Sequence, residues 1–275
     1  FRPEYVQLGQ LRYHFPAVPT IALTATADKQ TRADIIQQLQ LHQANIHIAS
    51  FNLPNSNYTV LKKHLHLVQL EVFLKNRQQQ SGIIYCATRK RVEELTDKLV
   101  NLGYNAQAYH AGLASDIRSE VQARFQRDDV QIIVATVAFG MGIDKPNVRF
   151  VVHYEIPKHI EGYYQETGRA GRDGLAADAF LLYGIGDIAK VKALIEQTGN
   201  EQQRRIELHK LNAMANLAES QNCRRRVLLN YFNELLEQDC GNCDICLNPP
   251  EQYDATEDAQ KGLSCVYRVQ QRFGV

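Results

Sequence analysis

Through the first 185 or so positions, short continuous apolar runs alternate with stretches whose apolar residues recur at helical spacing. The runs at 21–24, 45–49, 83–86, 131–136, 148–153 and 179–183 are too short for core helices. Their lack of polar alternation suits strands covered on both faces, as in a parallel sheet. Between them, 89–102 puts Val92, Leu95, Leu99 and Leu102 on one face and stops at Gly103. Ser115 is placed to cap a helix running to Phe125. This alternation predicts an α/β fold, a parallel sheet with helices on both faces. Beyond Tyr183 the strand-like runs end, and polar helical stretches follow at 187–198, 201–220 and 224–237, so a second, helical unit is expected from about 185. The final stretch, 254–275, reads either as the opening helix of a further unit or as an ordinary C-terminal helix.

At 275 residues the chain is long enough for about two domains. A 44% hydrophobic and 22% charged composition excludes a disordered or fibrous chain. No window approaches the roughly 18 apolar residues of a membrane span, so a soluble protein is expected. The net charge of +1 shows no global basic field for nucleic acid. That total conceals a split. Residues 187–231 carry eight Lys or Arg against five Asp or Glu, whereas 232–260 carry eight acidic residues and no Lys or Arg. The chain opens Phe1-Arg2-Pro3-Glu4, without Met and without a secretory pattern, which reads as a piece of a longer protein.

Of six cysteines, four cluster as Cys223, Cys240, Cys243 and Cys246, spaced C-x16-C-x2-C-x2-C. Without a secretory signal, such a cluster points to metal ligands rather than disulfides. Four thiolates fit a tetrahedral Zn²⁺ and leave no open position for an activated water, so the expected role is structural. An iron–sulfur cluster is the lesser alternative. Asp239, Gly241, Asn242 and Asp244 surround three of the ligands with turn residues rather than core, which argues against four merely buried thiols. Arg224, Arg225 and Arg226 adjoin the first ligand, either as a solvated helix face or as a patch that meets nucleic-acid phosphates.

Two glycine-rich stretches carry further candidate chemistry, one from Ala135 to Asp144 and one from Tyr164 to Gly174. Glycines after strands admit close backbone approach to phosphates. Arg169 and Arg172, three apart, project the same way if the segment is helical, and paired cations suit the charge that develops in phosphoryl transfer. Local pairing with Glu166 and Asp173 is the competing reading.

The segments Ala22-Leu-Thr-Ala-Thr-Ala27, Ser81-Gly-Ile-Ile-Tyr-Cys86, Tyr109-His-Ala-Gly-Leu113, the FGMGIDKPNV string and Gln165-Glu-Thr-Gly-Arg-Ala-Gly-Arg-Asp-Gly174 resemble superfamily 2 helicase motifs III to VI. With the cysteine quartet that follows, they resemble the bacterial RecQ family of ATP-dependent DNA helicases. Neither a G-x-x-x-x-G-K-[ST] loop nor a D-E-x-H box occurs in the chain.

The resemblance therefore implies the C-terminal part of a helicase core. It implies the tail of a first RecA-like lobe over 1–50, a second lobe over 51–185, a small helical zinc-binding domain over 186–250 and the start of a winged helix over 251–275. Arg172 would be the finger on ATP, with Arg169 beside it. Asp144, Gln165, Thr24 and Thr26 would bind nucleotide or couple lobe closure. Thr88, Arg89, His110, Thr136, Arg224 and Arg225 would meet DNA, although Thr88 could equally cap a helix and His110 could be a satisfied turn residue. The implied cofactors are structural Zn²⁺, with ATP and Mg²⁺ held mainly by the N-terminal lobe. The implied partners are that lobe, single-stranded DNA and duplex junctions, and a single-strand binding protein; the setting is cytoplasmic and nucleoid-associated, with 3′ to 5′ movement. Two alternatives stand beside it, a non-enzymatic zinc-containing DNA-binding or annealing module and an RNA-acting relative.

Overall fold

The computed structural model describes residues 3–27, 29–140, 142–251 and 253–268. Chain order runs α1 (Pro3–Gln7), α2 (Leu11–His14), α3 (Lys29–Gln38), β1 (Ser56–Lys62), α4 (His66–Leu74), β2 (Ser81–Tyr85), α5 (Arg89–Asn101), β3 (Ala106–Tyr109) and α6 (Ser115–Gln126). It continues with β4 (Ile132–Ala135), β5 (Val148–His153), α7 (Ile160–Thr167), β6 (Ala177–Tyr183), α8 (Ile185–Glu196), α9 (Glu201–Glu219), α10 (Arg224–Tyr231), α11 (Asp244–Leu247) and α12 (Thr256–Arg268).

All six strands form one parallel sheet in the order β1-β6-β5-β2-β4-β3. Both faces are covered, because neighbouring residues of each central strand enter opposite cores. Ile84, Val134, Val152 and Phe180 meet Leu70, Leu74, Val92, Leu95 and Leu99 of α4 and α5. Ile83, Ile133 and Val151 meet Val121, Phe125 and Phe139 on the other face. The expected α/β class is therefore the observed one, with a helical cysteine-bearing segment after the sheet.

The expected strands at 83–86, 131–136, 148–153 and 179–183 lie within or beside β2, β4, β5 and β6. Two others, 21–24 and 45–49, are not strands. Ile21, Leu23, Ile46 and Ile48 are exposed, and a parallel strand needs a ladder partner that these segments lack among the described residues. The two strands that the pattern did not predict, β1 and β3, are the sheet edges. There one side of the ladder is unpaired, so polar residues such as Asn57, Thr59 and Gln107 interrupt the apolar run.

Helix α5 is capped by Thr88, whose hydroxyl accepts the Arg91 N–H at 3.2 Å. The Ser115 cap is corrected, since Ser115 is already helical and Ala114 occupies the cap position without a side-chain bond. The helix expected over 224–237 ends at Tyr231, where Phe232 and then Asn233, at φ 62°, turn the chain. Helix α12 buries none of its residues; positions 269–275 of the expected final unit, like Phe1 and Arg2, lie outside the described residues.

No core boundary falls near residue 185. Tyr58 and Val60 of β1, Ile160 and Tyr163 of α7, and Ala179 and Leu181 of β6 share one buried cluster with Met214, Leu217, Leu228 and Phe232. The helical unit therefore packs onto the face of the sheet.

Lys145, 2% exposed, anchors the long loop before β5 by an ion pair with Asp128 at 2.7 Å. Hydrogen bonding from Lys145 holds the Asp128 carboxyl below its usual range against the opposing effect of burial, with a lesser contribution from Ser81. A carboxyl whose pKa is lowered by folding contributes stability above its unfolded pKa and loses it as pH falls through the folded one. Asp128→Asn should cost about 1–3 kcal/mol near neutrality, because it leaves a buried ammonium without its counter-charge. Urea unfolding followed against pH should show the parent and variant curves converging in acid.

Candidate functional site

Parallel strands bring their carboxyl ends to one edge, and the loops after β2, β4 and β3 collect there. This edge unites Thr88, Arg89, His110 and Thr136. Thr88 and Arg89 are exposed, and Thr136 is half-buried, its hydroxyl facing the Ala138 N–H at 3.5 Å. His110 takes the second of its two readings, the satisfied turn residue. It is 4% exposed, its Nε2 lies 3.1 Å from Glu93 Oε1, and its Nδ1 accepts the Gly112 N–H, so it orders the turn after β3. Glu155 accepts the Ala87 N–H at 3.0 Å at the same edge. Burial raises its carboxyl above the ordinary range, against the pull of that N–H and of Lys63 and Arg91.

The two candidate catalytic arginines lie beyond the last residue of α7, in turns rather than on the helix expected for them. The Gly171 N–H between them donates to the carbonyl of Val148, the first residue of β5. Local pairing is not what holds them. Glu166 is bound to His153, and Asp173 to Arg149 at 2.6 Å. Both arginines instead cross to the loop after β4. Arg169 Nη1 donates to Gly140 O at 2.5 Å, and Arg172 Nη1 donates to Ile143 O at 3.1 Å and to Asp144 Oδ1 at 2.7 Å. Gly140 permits the crossing, because a Cβ there would come within 2.3 Å of the Arg169 guanidinium. Asp144 is highly exposed, and Arg172 Nη2 and Nε have no partner among the described residues, so this guanidinium retains donors for an oxyanion.

The remaining candidates join this group from the other side of a cleft of about 610 Å³, lined by Thr24, Arg32, Ile48, Gln165, Arg169 and Arg172. Gln165 Nε2 donates to Thr26 Oγ1 at 2.6 Å, and the Thr26 N–H faces Thr24 Oγ1 at 3.3 Å. The strap leading from this segment to β1 is gripped in turn. Glu234 accepts the Ser50 hydroxyl and the Phe51 N–H at 2.5 and 2.7 Å, and Phe51 stacks on Phe232 with ring centres 4.4 Å apart.

The four clustered cysteines meet. One sulfur from each of Cys223, Cys240, Cys243 and Cys246 lies within 4.8 Å of the others. A tetrahedron with metal–sulfur bonds of about 2.3 Å has edges of about 3.8 Å, which is the Cys240–Cys246 separation of 3.8 Å. Backbone N–H groups of Cys240 and Asn242 point at Cys223 and Cys240 sulfurs at 3.4 Å, as donors to thiolates do. Gly241, at φ 62°, makes the tight turn between ligands. The donor set fits a zinc ion that four thiolates would enclose, a structural rather than a catalytic site.

Arg224 and Arg225 are not a phosphate patch. They are 6% and 4% exposed and turned into the protein. Arg224 pairs with Asp244 and donates to the carbonyls of Leu217, Ala218 and Ser220 that end α9. Arg225 donates to Ser56 O at 2.6 Å and lies over the Tyr58 ring. Arg226, half-exposed, pairs with Asp239 at 2.8 Å.

Residues 62–174 match the helicase conserved C-terminal domain, 185–247 the RecQ zinc-binding domain and 249–275 the RQC domain. The chain belongs to the RecQ family. It is 54% identical over its whole length to the ATP-dependent DNA helicase RecQ of Pasteurella multocida and 41% identical to that of Bacillus subtilis. It spans 44% and 46% of those two relatives, less than half of each. Yeast Dbp5 bound to RNA and ADP BeF3 shares the fold, with a TM-score of 0.57 at 19% identity over 77% of this chain and 60% of that one. No helix among the described residues is long and apolar enough to cross a membrane.

Within this RecQ chain, pattern reading missed the groups that hold the site together: Glu234, Asp244, Lys145 and the His153–Glu166 pair. Only His153 carried a signal, a titratable residue closing the apolar run Phe150-Val151-Val152. The metal site offers a direct test. Cys243→Ser should release a metal that elemental analysis finds at about one per chain in the parent, and it should be zinc. Loss of the metal should also lower the melting temperature, since Cys243 belongs to the core shared with the sheet.

Proposed function

We propose that this chain is the C-terminal part of the catalytic core of a 3′ to 5′ ATP-dependent DNA helicase, acting on duplex DNA in repair and recombination. In this reading residues 1–50 complete a first RecA-like lobe, 51–185 form the second, 186–250 the zinc unit and 251–275 the beginning of a winged helix. The observation that carries the proposal is the pair Arg169 and Arg172, fixed on the glycine loop after β4 and facing a cleft whose far side bears Thr24, with Thr26 bonded to Gln165. ATP and Mg²⁺ would be held mainly by the first lobe. When the lobes close, Arg172 leaves Asp144 for the terminal phosphate and offsets the charge that develops there, while Arg169 holds the loop. Gln165, through Thr26, couples that closure to the first lobe.

Thr88, Arg89 and Thr136 at the carboxyl edge of the sheet suit a single strand held by its phosphates, contacts that ignore sequence and so permit stepping. The zinc unit braces the sheet and the interlobe strap, and leaves contact with a duplex junction to the surfaces beyond its buried arginines. A single-strand binding protein is the expected partner in a bacterial cell, with the work done at the nucleoid.

In a protein carrying both lobes, Arg172→Ala should lower the turnover number for ATP about 1,000-fold or more. Nucleotide affinity, read with a fluorescent ATP analogue, should stay close to the parent's. Unchanged turnover would remove the finger assignment. The present chain alone, without a phosphate-binding loop, should show no DNA-stimulated ATP hydrolysis in a phosphate-release assay.

A further inference from the structure

We infer that His153 and Glu166 form a buried positioning pair that sets where the arginine turn points. This rests on the reading of Arg172 and Arg169 as nucleotide-facing groups. His153 closes β5 at 1% exposure, and Glu166 is in the last turn of α7 at 8%. The His153 Nε2 to Glu166 Oε2 distance is 2.6 Å.

Nε2 is the ring nitrogen that faces the Glu166 carboxyl, and Nδ1 is buried without a hydrogen-bond partner among the described residues.

The pair is continuous with the arginine loop. The His153 ring stacks on Tyr85 at 5.4 Å and 22°, and packs against Tyr163 at 4.9 Å. The Tyr85 hydroxyl donates to Phe139 O at 3.0 Å, one residue before the Gly140 carbonyl that takes Arg169. Burial drives the Tyr85 phenol well up and Arg169 pulls it down, so the two groups feel each other. The turn is therefore held at both ends: Glu166 fixes its entry through His153, and Gly140 fixes Arg169 through a loop that Tyr85 steadies. Burying a polar pair costs desolvation that apolar residues would avoid, and its return is a single defined geometry. Geometry matters here because a displacement of about 1 Å costs a catalytic group on the order of 100-fold.

The test uses a protein carrying both lobes. His153→Leu and Glu166→Ala should each lower the turnover number for ATP by about 10- to 100-fold, while the affinity for a fluorescent ATP analogue changes by no more than about twofold. His153→Gln, which returns an amide donor, should recover most of the loss. The double variant should be no worse than either single one, because both remove the same interaction. A folded Glu166→Ala protein with parental turnover overturns the proposal, as do two losses that add. If the truncated variants do not fold, Tyr85→Phe decides. It deletes one oxygen and keeps the ring, and a turnover number equal to the parent's overturns the proposal. Arg172→Ala is measured alongside. If that variant also turns over normally, the finger reading is what has failed; if it is dead while Glu166→Ala is normal, only the positioning pair has failed.

Discussion

A guanidinium cannot shed its charge inside a protein, so one that is buried compels its surroundings to supply acceptors on every side. Arg224 imposes that constraint here. Its donors are met by the Asp244 carboxylate and by three carbonyls at the end of α9, groups that would otherwise lack partners at a helix terminus. Asp244 in turn accepts the Val60 N–H of β1. One ion pair thus fixes the last turn of α9, the start of α10, the cysteine turn and the edge of the sheet relative to one another. The cysteines lie in the middle of this arrangement, where Cys223 and Cys243 are as buried as any leucine.

From that brace the strap between the first fifty residues and the sheet acquires its path. Glu234 follows the turn that ends α10, and it grips Ser50 and Phe51 from a distance of more than 180 positions in the chain. Phe51 also lies against Tyr164, the neighbour of Gln165. The same few residues therefore touch the zinc unit, the strap and the helix that leads to the arginines. This is why the metal site belongs to the architecture of the cleft.

The interior of the fold was legible in the sequence because central parallel strands are apolar on both faces, and each of the four expected there exists. Edge strands β1 and β3 were hidden by the polar residues that an unpaired side permits. The exposed runs at 21–24 and 45–49 failed for the opposite reason: they have strand composition but no neighbour. Among site residues, the cysteines were readable because ligand spacing is local. Arg224 and Arg225 misled because a run of arginines looks solvated, and nothing local announces that Asp244 and Ser56 will receive them. For His110 the sequence left two readings open, because its partner Glu93 is on a different element. Arg169 and Arg172 were visible as residues, but the expectation of a shared helical face gave way to turns that send both to one loop.

The outer edge of β1 is occupied at every second residue. Arg225 takes the Ser56 carbonyl, Cys243 bridges Tyr58, and Asp244 takes the Val60 N–H. An open parallel edge is a template for another strand, and self-association through such edges is the common hazard of sheets. The cysteine turn closes that template with side chains and one short bridge rather than a seventh strand. Were that turn to come away, the edge would present a row of unsatisfied backbone groups to other copies of the chain.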